Sequence, residues 1–214
     1  MKKLDWYFDF ISPFAYLQFT QLGKLPQNIK INYRPVLFAG LLKHFEHKGP
    51  AEIPAKRKLT YRHILWQARK NNIPFKMPPA HPFNPLKALR LSIALENDID
   101  VISRIFDFIW VKGLSLEDQK AWEELTRELG VESPDDMIVQ QAVKNELRAN
   151  TEEALQLGIF GVPTTIINGE LFWGFDTSDM LLDFIQDPGM FEEAEMKRVS
   201  DLPESVQRKI TTSK

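Results

Sequence analysis

Strand-like alternation is confined to the two ends of this 214-residue sequence, and a long helical pattern separates them. Any sheet must therefore be assembled from segments far apart in the chain. Near the start, Leu4, Trp6, Phe8 and Phe10 alternate with Asp5, Tyr7 and Asp9, the period-2 signature of a strand. Ser12-Pro13 follows. Serine is a preferred N-cap and proline suits the first helical position, so a helix begins there, and Ala15, Phe19 and Leu22 continue it to Gly23. Ile29, Ile31 and Tyr33 alternate with Lys30, Asn32 and Arg34, a second strand that closes at Pro35. At the other end, Val162-Pro163-Thr164-Thr165-Ile166-Ile167 reads as a strand and Asn168-Gly169 as a type I′ turn. Glu170-Leu171-Phe172-Trp173 is its antiparallel partner, and a helix follows over Ser178 to Gln186.

Between these ends, residues 38–157 carry helical spacing, as in Ile102, Ile105, Phe106 and Ile109, or Leu147, Thr151, Ala154 and Leu155. Shorter helices are expected around Tyr61 to Ala68, Leu86 to Ala94 and Trp122 to Leu129. The proline-rich segment from Ile73 to Pro85 is expected to be an extended loop. The order β-α-β, helical block, β-β-α is that of an α/β thioredoxin-like fold with a large all-helical insertion, one of several α/β arrangements the pattern allows. The expected division is residues 1–37 and 158–188 as a discontinuous thioredoxin-like domain and 38–157 as the helical insertion. The polar tail, 189–214, is expected to be a surface helix, an oligomer arm or a disordered segment.

The chain has no cysteine, which excludes disulfides, thiolate metal sites and a cysteine nucleophile. Lys+Arg 27 against Asp+Glu 29 gives a formal charge of -2, a balance that argues against nucleic acid as partner. No apolar run approaches a membrane helix or a signal segment, so a soluble, cytoplasmic protein is expected. His44-x-x-His47 has a spacing that fits one helix face, but no further ligand completes a zinc set, and no metal is expected. Lys56-Arg57-Lys58, Arg62 and Arg69 read as a solvated helix face, and neither a phosphate loop nor Gly-x-Ser-x-Gly is present.

Three short segments point to a site. Ser12 ends the first strand and caps the first helix, where a hydroxyl lies beside unpaired amides and suits an anion such as a thiolate; the plain alternative is a simple N-cap. Gly161-Val162-Pro163-Thr164 has a proline opening a strand. If that proline is cis, Val162 presents its backbone to an extended peptide-like ligand; otherwise it is an ordinary strand-entry proline. Phe172-Trp173-Gly174-Phe175-Asp176 ends the last strand with an Asp at a helix start, either a cap or a carboxylate that holds an ammonium group.

Together these segments resemble the 2-hydroxychromene-2-carboxylate isomerases and the kappa-class glutathione transferases, relatives of DsbA in the thioredoxin-like superfamily. The resemblance runs through Asp9-Phe10-Ile11-Ser12-Pro13-Phe14-Ala15-Tyr16-Leu17, Gly49 to Arg57, His81-Pro82-Phe83-Asn84-Pro85, Phe160-Gly161-Val162-Pro163-Thr164 and Phe172 to Asp176. It implies that Ser12, at the place of the DsbA cysteine, hydrogen-bonds the thiolate of bound glutathione. It further implies that Val162 before a cis Pro163 pairs with the cysteinyl backbone, and that Phe175 and Asp176 hold the γ-glutamyl end beside Trp173. Lys43, Glu52, His81 and Asn84 become substrate-binding candidates by position. Two residues depart from the family pattern: Glu52 stands where the isomerases carry Asn, and Thr177 follows Asp176 where the family has Arg.

The resemblance thus implies a glutathione-dependent isomerase, with glutathione as cofactor, a small aromatic or conjugated acid as substrate and a homodimer as the assembly. A kappa-type glutathione transferase is the alternative enzyme, and a thioredoxin-like peptide-binding module the alternative of another class. Tyr16, one turn after Ser12, faces either this pocket or the core.

Overall fold

The computed structural model of the chain describes residues 2–206. Strand β1 (Lys2–Phe8) pairs in parallel with β2 (Ile29–Pro35), the two joined through helix α1 (Pro13–Phe19) and a 3-10 turn over Leu22–Lys24. Its other edge pairs antiparallel with β3 (Thr164–Ile167), and β3 pairs antiparallel with β4 (Glu170–Trp173). Among the described residues the sheet has the order β2-β1-β3-β4, so the two ends of the sequence meet at the β1–β3 ladder, as the element order requires. The β3–β4 hairpin turns through Asn168 (φ 53°) and Gly169 (φ 86°), the two positive φ angles a type I′ turn needs.

Between β2 and β3 lie α2 (Phe38–His44), α3 (Pro54–Lys70), α4 (Leu86–Ala94) and α5 (Ile99–Phe106). A π-helical turn over Asp107–Val111, then α6 (Gln119–Glu128), α7 (Pro134–Ile138) and α8 (Gln141–Gln156) complete the block. The stretch from Ile73 to Pro85 has no helix or strand. The chain forms two compact units, Met1–Ser178 and Asp179–Lys214. The second contains most of α9 (Ser178–Gln186), a 3-10 turn over Pro188–Glu192 and α10 (Ala194–Ser200), with Phe184 stacked on Phe191 at 5.0 Å. Of the polar tail, residues 207–214 lie outside the described residues.

Aromatic packing joins the helical block to β1. Phe106 of α5 lies 4.8 Å from Phe10, 5.2 Å from Phe19, 5.9 Å from Phe8 and 6.0 Å from Tyr16, centroid to centroid. Trp6 stacks on Phe8 at 4.5 Å. These are offset and tilted arrangements of the kind that add to plain area burial. On the other face of β1, Tyr7 packs with Val36, Leu41, Ala154, Ile159 and Val162. The second half of β1 is therefore buried on both faces, Tyr7 included. Regular pairing stops at Phe8, two residues earlier than the alternation suggests, which leaves residues 9–12 to form the turn that presents Ser12.

Candidate functional site

Ser12 is placed by its own chemistry and by the turn before it. Its backbone is extended (φ -89°, ψ 113°), its Oγ accepts from Ala15 N at 3.2 Å, and Pro13 occupies the first helical position, as expected for an N-cap. The same Oγ donates to the Val162 carbonyl at 3.3 Å, a bond that spans 150 residues of sequence. Ser12 and Val162 are thus brought together at one end of the β1–β3 ladder, and the Val162-Pro163 peptide bond is cis.

The turn 9–12 is held from several sides. Ser12 N donates to the Asp9 carbonyl at 3.0 Å. The Asp9 carboxylate, wholly buried, accepts from Ile11 N at 3.0 Å through Oδ1 and from Phe38 N at 2.9 Å through Oδ2. Burial raises its pKa from 3.8 to about 7, against the lowering effect of those two bonds. Trp110, on the π-helical turn, donates its Nε1–H to the Phe10 carbonyl at 3.0 Å. His81 Nε2 lies 2.8 Å from the Ile11 carbonyl, which only accepts, so the proton is assigned to Nε2. In the neutral ring Nδ1 then accepts from the Tyr61 hydroxyl at 2.8 Å. Burial lowers the His81 pKa, Arg57 adds to the lowering and the Ile11 bond opposes it, so the neutral imidazole is the form that fits.

On the far side of Val162, space is reserved for an indole. A Cβ added to Gly161 would lie 2.5 Å from Trp173 Nε1, so only glycine lets this ring lie against the backbone here. Trp173 is 49% exposed and meets Phe160, 37% exposed, edge to face at 4.9 Å. Gly174 follows with φ 91°, a region that favours glycine, and its N–H donates to the Pro163 carbonyl at 2.9 Å. Asp176 is exposed and folds Oδ1 back over Gly174, while Thr177 donates its hydroxyl to the Gly174 carbonyl at 3.1 Å. Gln18 of α1, buried, accepts from Trp6 Nε1 at 2.8 Å and donates to the Gly174 carbonyl at 3.0 Å, which ties α1 to the segment 173–176.

The structure gives each of the remaining sequence candidates its own surroundings. Lys43 is exposed in the last turn of α2. Glu52 accepts from Gly49 N at 2.7 Å and closes a short 3-10 turn, and Asn84 accepts from Leu86 N at 3.1 Å at the start of α4. Tyr16 is core: it is 2% exposed, its hydroxyl donates to the Pro74 carbonyl at 2.7 Å, and burial together with Asp107 pushes its pKa up to about 12. Helix α2 ends at His44, and Glu46 has φ 52°, so His44 and His47 do not share a helix face. Among the described residues no cluster of three or more His, Cys, Asp or Glu is placed to hold a metal, and no helix is long and apolar enough to cross a membrane.

A family model described as a DSBA-like thioredoxin domain matches residues 3–186 of this sequence. The chain belongs to the DsbA-like thioredoxin family. Within that family it is 28% identical over 209 residues to glutathione S-transferase kappa 2 of Caenorhabditis elegans, covering 87% of this chain and 93% of that one. It is 26% identical over 193 residues to 2-hydroxychromene-2-carboxylate isomerase of Sphingobium xenophagum, covering 87% and 99%. A solved 2-hydroxychromene-2-carboxylate isomerase superposes with a TM-score of 0.75 at 21% identity, covering 91% of this chain and 98% of the other. The thioredoxin-like DsbA fold is thereby established. The chain has no cysteine, and Ser12-Pro13-Phe14-Ala15 at the start of α1 carries no sulfur, so disulfide exchange through a thiol of this chain is excluded.

Asp9, Trp110, Tyr61 and Gln18 are the residues around this site that sequence reasoning passed over. Asp9 had a signal, a carboxylate in the last register positions of an apolar strand. Trp110 and Tyr61 had none, because their roles depend on where the helical block meets the turn.

Proposed function

We propose that this chain is a glutathione-dependent isomerase of the 2-hydroxychromene-2-carboxylate isomerase type, acting on a conjugated enone acid. The observation that carries the reading is the meeting of the Ser12 hydroxyl with the Val162 carbonyl at 3.3 Å. At 3.3 Å that bond is longer than the usual range of about 2.5–3.0 Å for an O–H···O bond, so turning the hydroxyl toward a thiol sulfur exchanges a weak bond for a charge-assisted one. A donor in that position favours the thiolate and lowers the thiol pKa. The backbone of Val162 then offers pairing groups to the peptide of glutathione, and Trp173 supplies an exposed ring alongside. Phe175 and the exposed Asp176 carboxylate take the γ-glutamyl end, carboxylate against ammonium.

Ser12, Val162, Trp173, Phe175 and Asp176 would hold glutathione, and the chemistry it would supply there is a thiolate able to add reversibly to a conjugated double bond and so permit cis-trans isomerisation. The protein's own part is to hold the hydroxyl of Ser12, to orient the two reactants and to offer hydrogen bonds where negative charge grows on the carbonyl side. Lys43, an exposed cation, is our assignment for the substrate carboxylate. His81, Glu52 and Asn84 already hold backbone groups and shape the surroundings.

The similarity to both the isomerase and the kappa transferase supports a shared use of glutathione, and stoichiometry separates the two outcomes. The isomerase reading expects total free glutathione unchanged after many turnovers of a chromene-type acid. One glutathione consumed per turnover establishes the transferase instead, and no turnover together with no glutathione binding removes both in favour of a peptide-binding module without catalysis.

A further inference from the structure

We infer that Asp9 is a positioning residue for Ser12, holding the turn that carries the hydroxyl against the start of α2 through one buried carboxylate. The inference rests on the reading of Ser12 as the thiol contact and goes beyond it, because Asp9 touches neither ligand. Two backbone amides on different segments, Ile11 in the turn and Phe38 at the first position of α2, donate to the two oxygens of this carboxylate, at 3.0 and 2.9 Å. The Asp9 carbonyl holds Ser12 N at 3.0 Å in the same turn. Side chain and main chain of one residue thus fix the residue before Ser12 and Ser12 itself.

Two donors aimed at two oxygens describe the ionised carboxylate. On protonation the oxygen that takes the proton becomes a donor and a poorer acceptor, so its tie to the amide weakens. A part-buried amide with a weakened acceptor favours a shift of the turn that restores the bond. The surrounding charges do not supply a counter-ion. Arg34 pairs with Asp5 and Glu153, Lys43 and His44 stand at the opposite end of α2 from Phe38, and His81 is neutral on the Ile11 carbonyl. Burial, set against the two amide bonds, brings the Asp9 carboxyl to about 7, within reach of the neutral range.

The test is an NMR titration of the full chain without ligand, following the amides of Ile11, Ser12 and Phe38 in the parent and in Asp9→Asn. The expected result is one shared midpoint near neutrality for all three amides, absent in Asp9→Asn, while the ring signals of His81 titrate at their own lower pH in both. Ile11 and Phe38 moving while Ser12 stays still overturns the inference, since Asp9 would then brace the turn without setting Ser12. As a second readout, glutathione titrated into both proteins above neutral pH is expected to bind Asp9→Asn on the order of fivefold more weakly, the loss associated with one hydrogen bond. Equal affinity at every pH overturns the inference. If the parent protein binds no glutathione, the proposed function fails and the amide titration alone decides the role of Asp9.

Discussion

Replacing Asp9 by Asn should make the protein relatively more stable as pH rises from about 4 to about 7, even though the side chain it removes makes two good hydrogen bonds. The Asp9 carboxyl has an ordinary value of 3.8 and is raised to about 7 in the fold. Between those values the folded protein binds a proton that the unfolded chain has already released, so stability contributed by the protonated group is lost as pH climbs through the window. At 1.36 kcal/mol per unit, the ionised carboxylate costs the fold about 4 kcal/mol above the window relative to below it. That is a large share of the 5–15 kcal/mol by which domains are typically stable. His81 acts in the opposite sense: its lowered pKa means that stability falls as pH drops below its ordinary 6.5. Urea unfolding of parent and Asp9→Asn side by side cancels the His81 contribution, since both proteins carry it. The difference in unfolding free energy should move in favour of the variant by up to about 4 kcal/mol across the window and then level off. A difference that is flat with pH, or one that favours the parent increasingly at high pH, refutes the reasoning. A buried charge kept at such a cost, beside Ser12, points to a task other than stability.

Other outcomes follow from the same geometry. Ser12→Ala should keep the fold, losing about 1 kcal/mol with the N-cap, while raising the pKa of bound glutathione and slowing glutathione-dependent turnover severely; unchanged pH-rate profiles remove Ser12 from the chemistry. Gly161→Ala should push the Trp173 indole off the backbone, read as a change in tryptophan emission with weaker glutathione binding and little change in melting temperature, since that ring is half exposed. Asp176→Ala should weaken glutathione binding more than substrate binding, and an equal loss in both contradicts its assignment to the γ-glutamyl end. Phe106→Ala should cost about 3–5 kcal/mol in chemical unfolding, because the ring packs against Phe8, Phe10, Tyr16 and Phe19 at the seam between helical block and sheet.

Much of the architecture could be read from local signals. Ser12-Pro13 starts α1, Asn168-Gly169 makes the hairpin, and helices α4 and α9 span the residues their spacing indicates. Each of these depends on a few neighbouring residues and a strong backbone preference. The errors arise where tertiary packing overrides a period. Alternation carried the first strand through Asp9 and Phe10, yet pairing ends at Phe8, and Asp9 belongs to a turn with its carboxylate enclosed. Helix α3 runs from Pro54 to Lys70, well beyond the stretch its apolar spacing marks, because much of its surface is polar and only Ile64 and Ala68 are buried. At the site, sequence named Ser12 and Val162 separately, and the resemblance joined them. The supports of the turn were not readable, since Trp110 and His81 reach it from 100 and 70 residues away. Spacing carries no record of such distant hydrogen bonds.

The most direct test of the account is calorimetric titration of the purified protein with reduced glutathione beside its S-methyl derivative, at neutral and raised pH. The account predicts saturable binding that prefers the free thiol, with a preference that grows as pH rises, because the Ser12 hydroxyl then meets a thiolate. Equal binding of the two ligands at every pH, or no binding of either, contradicts it.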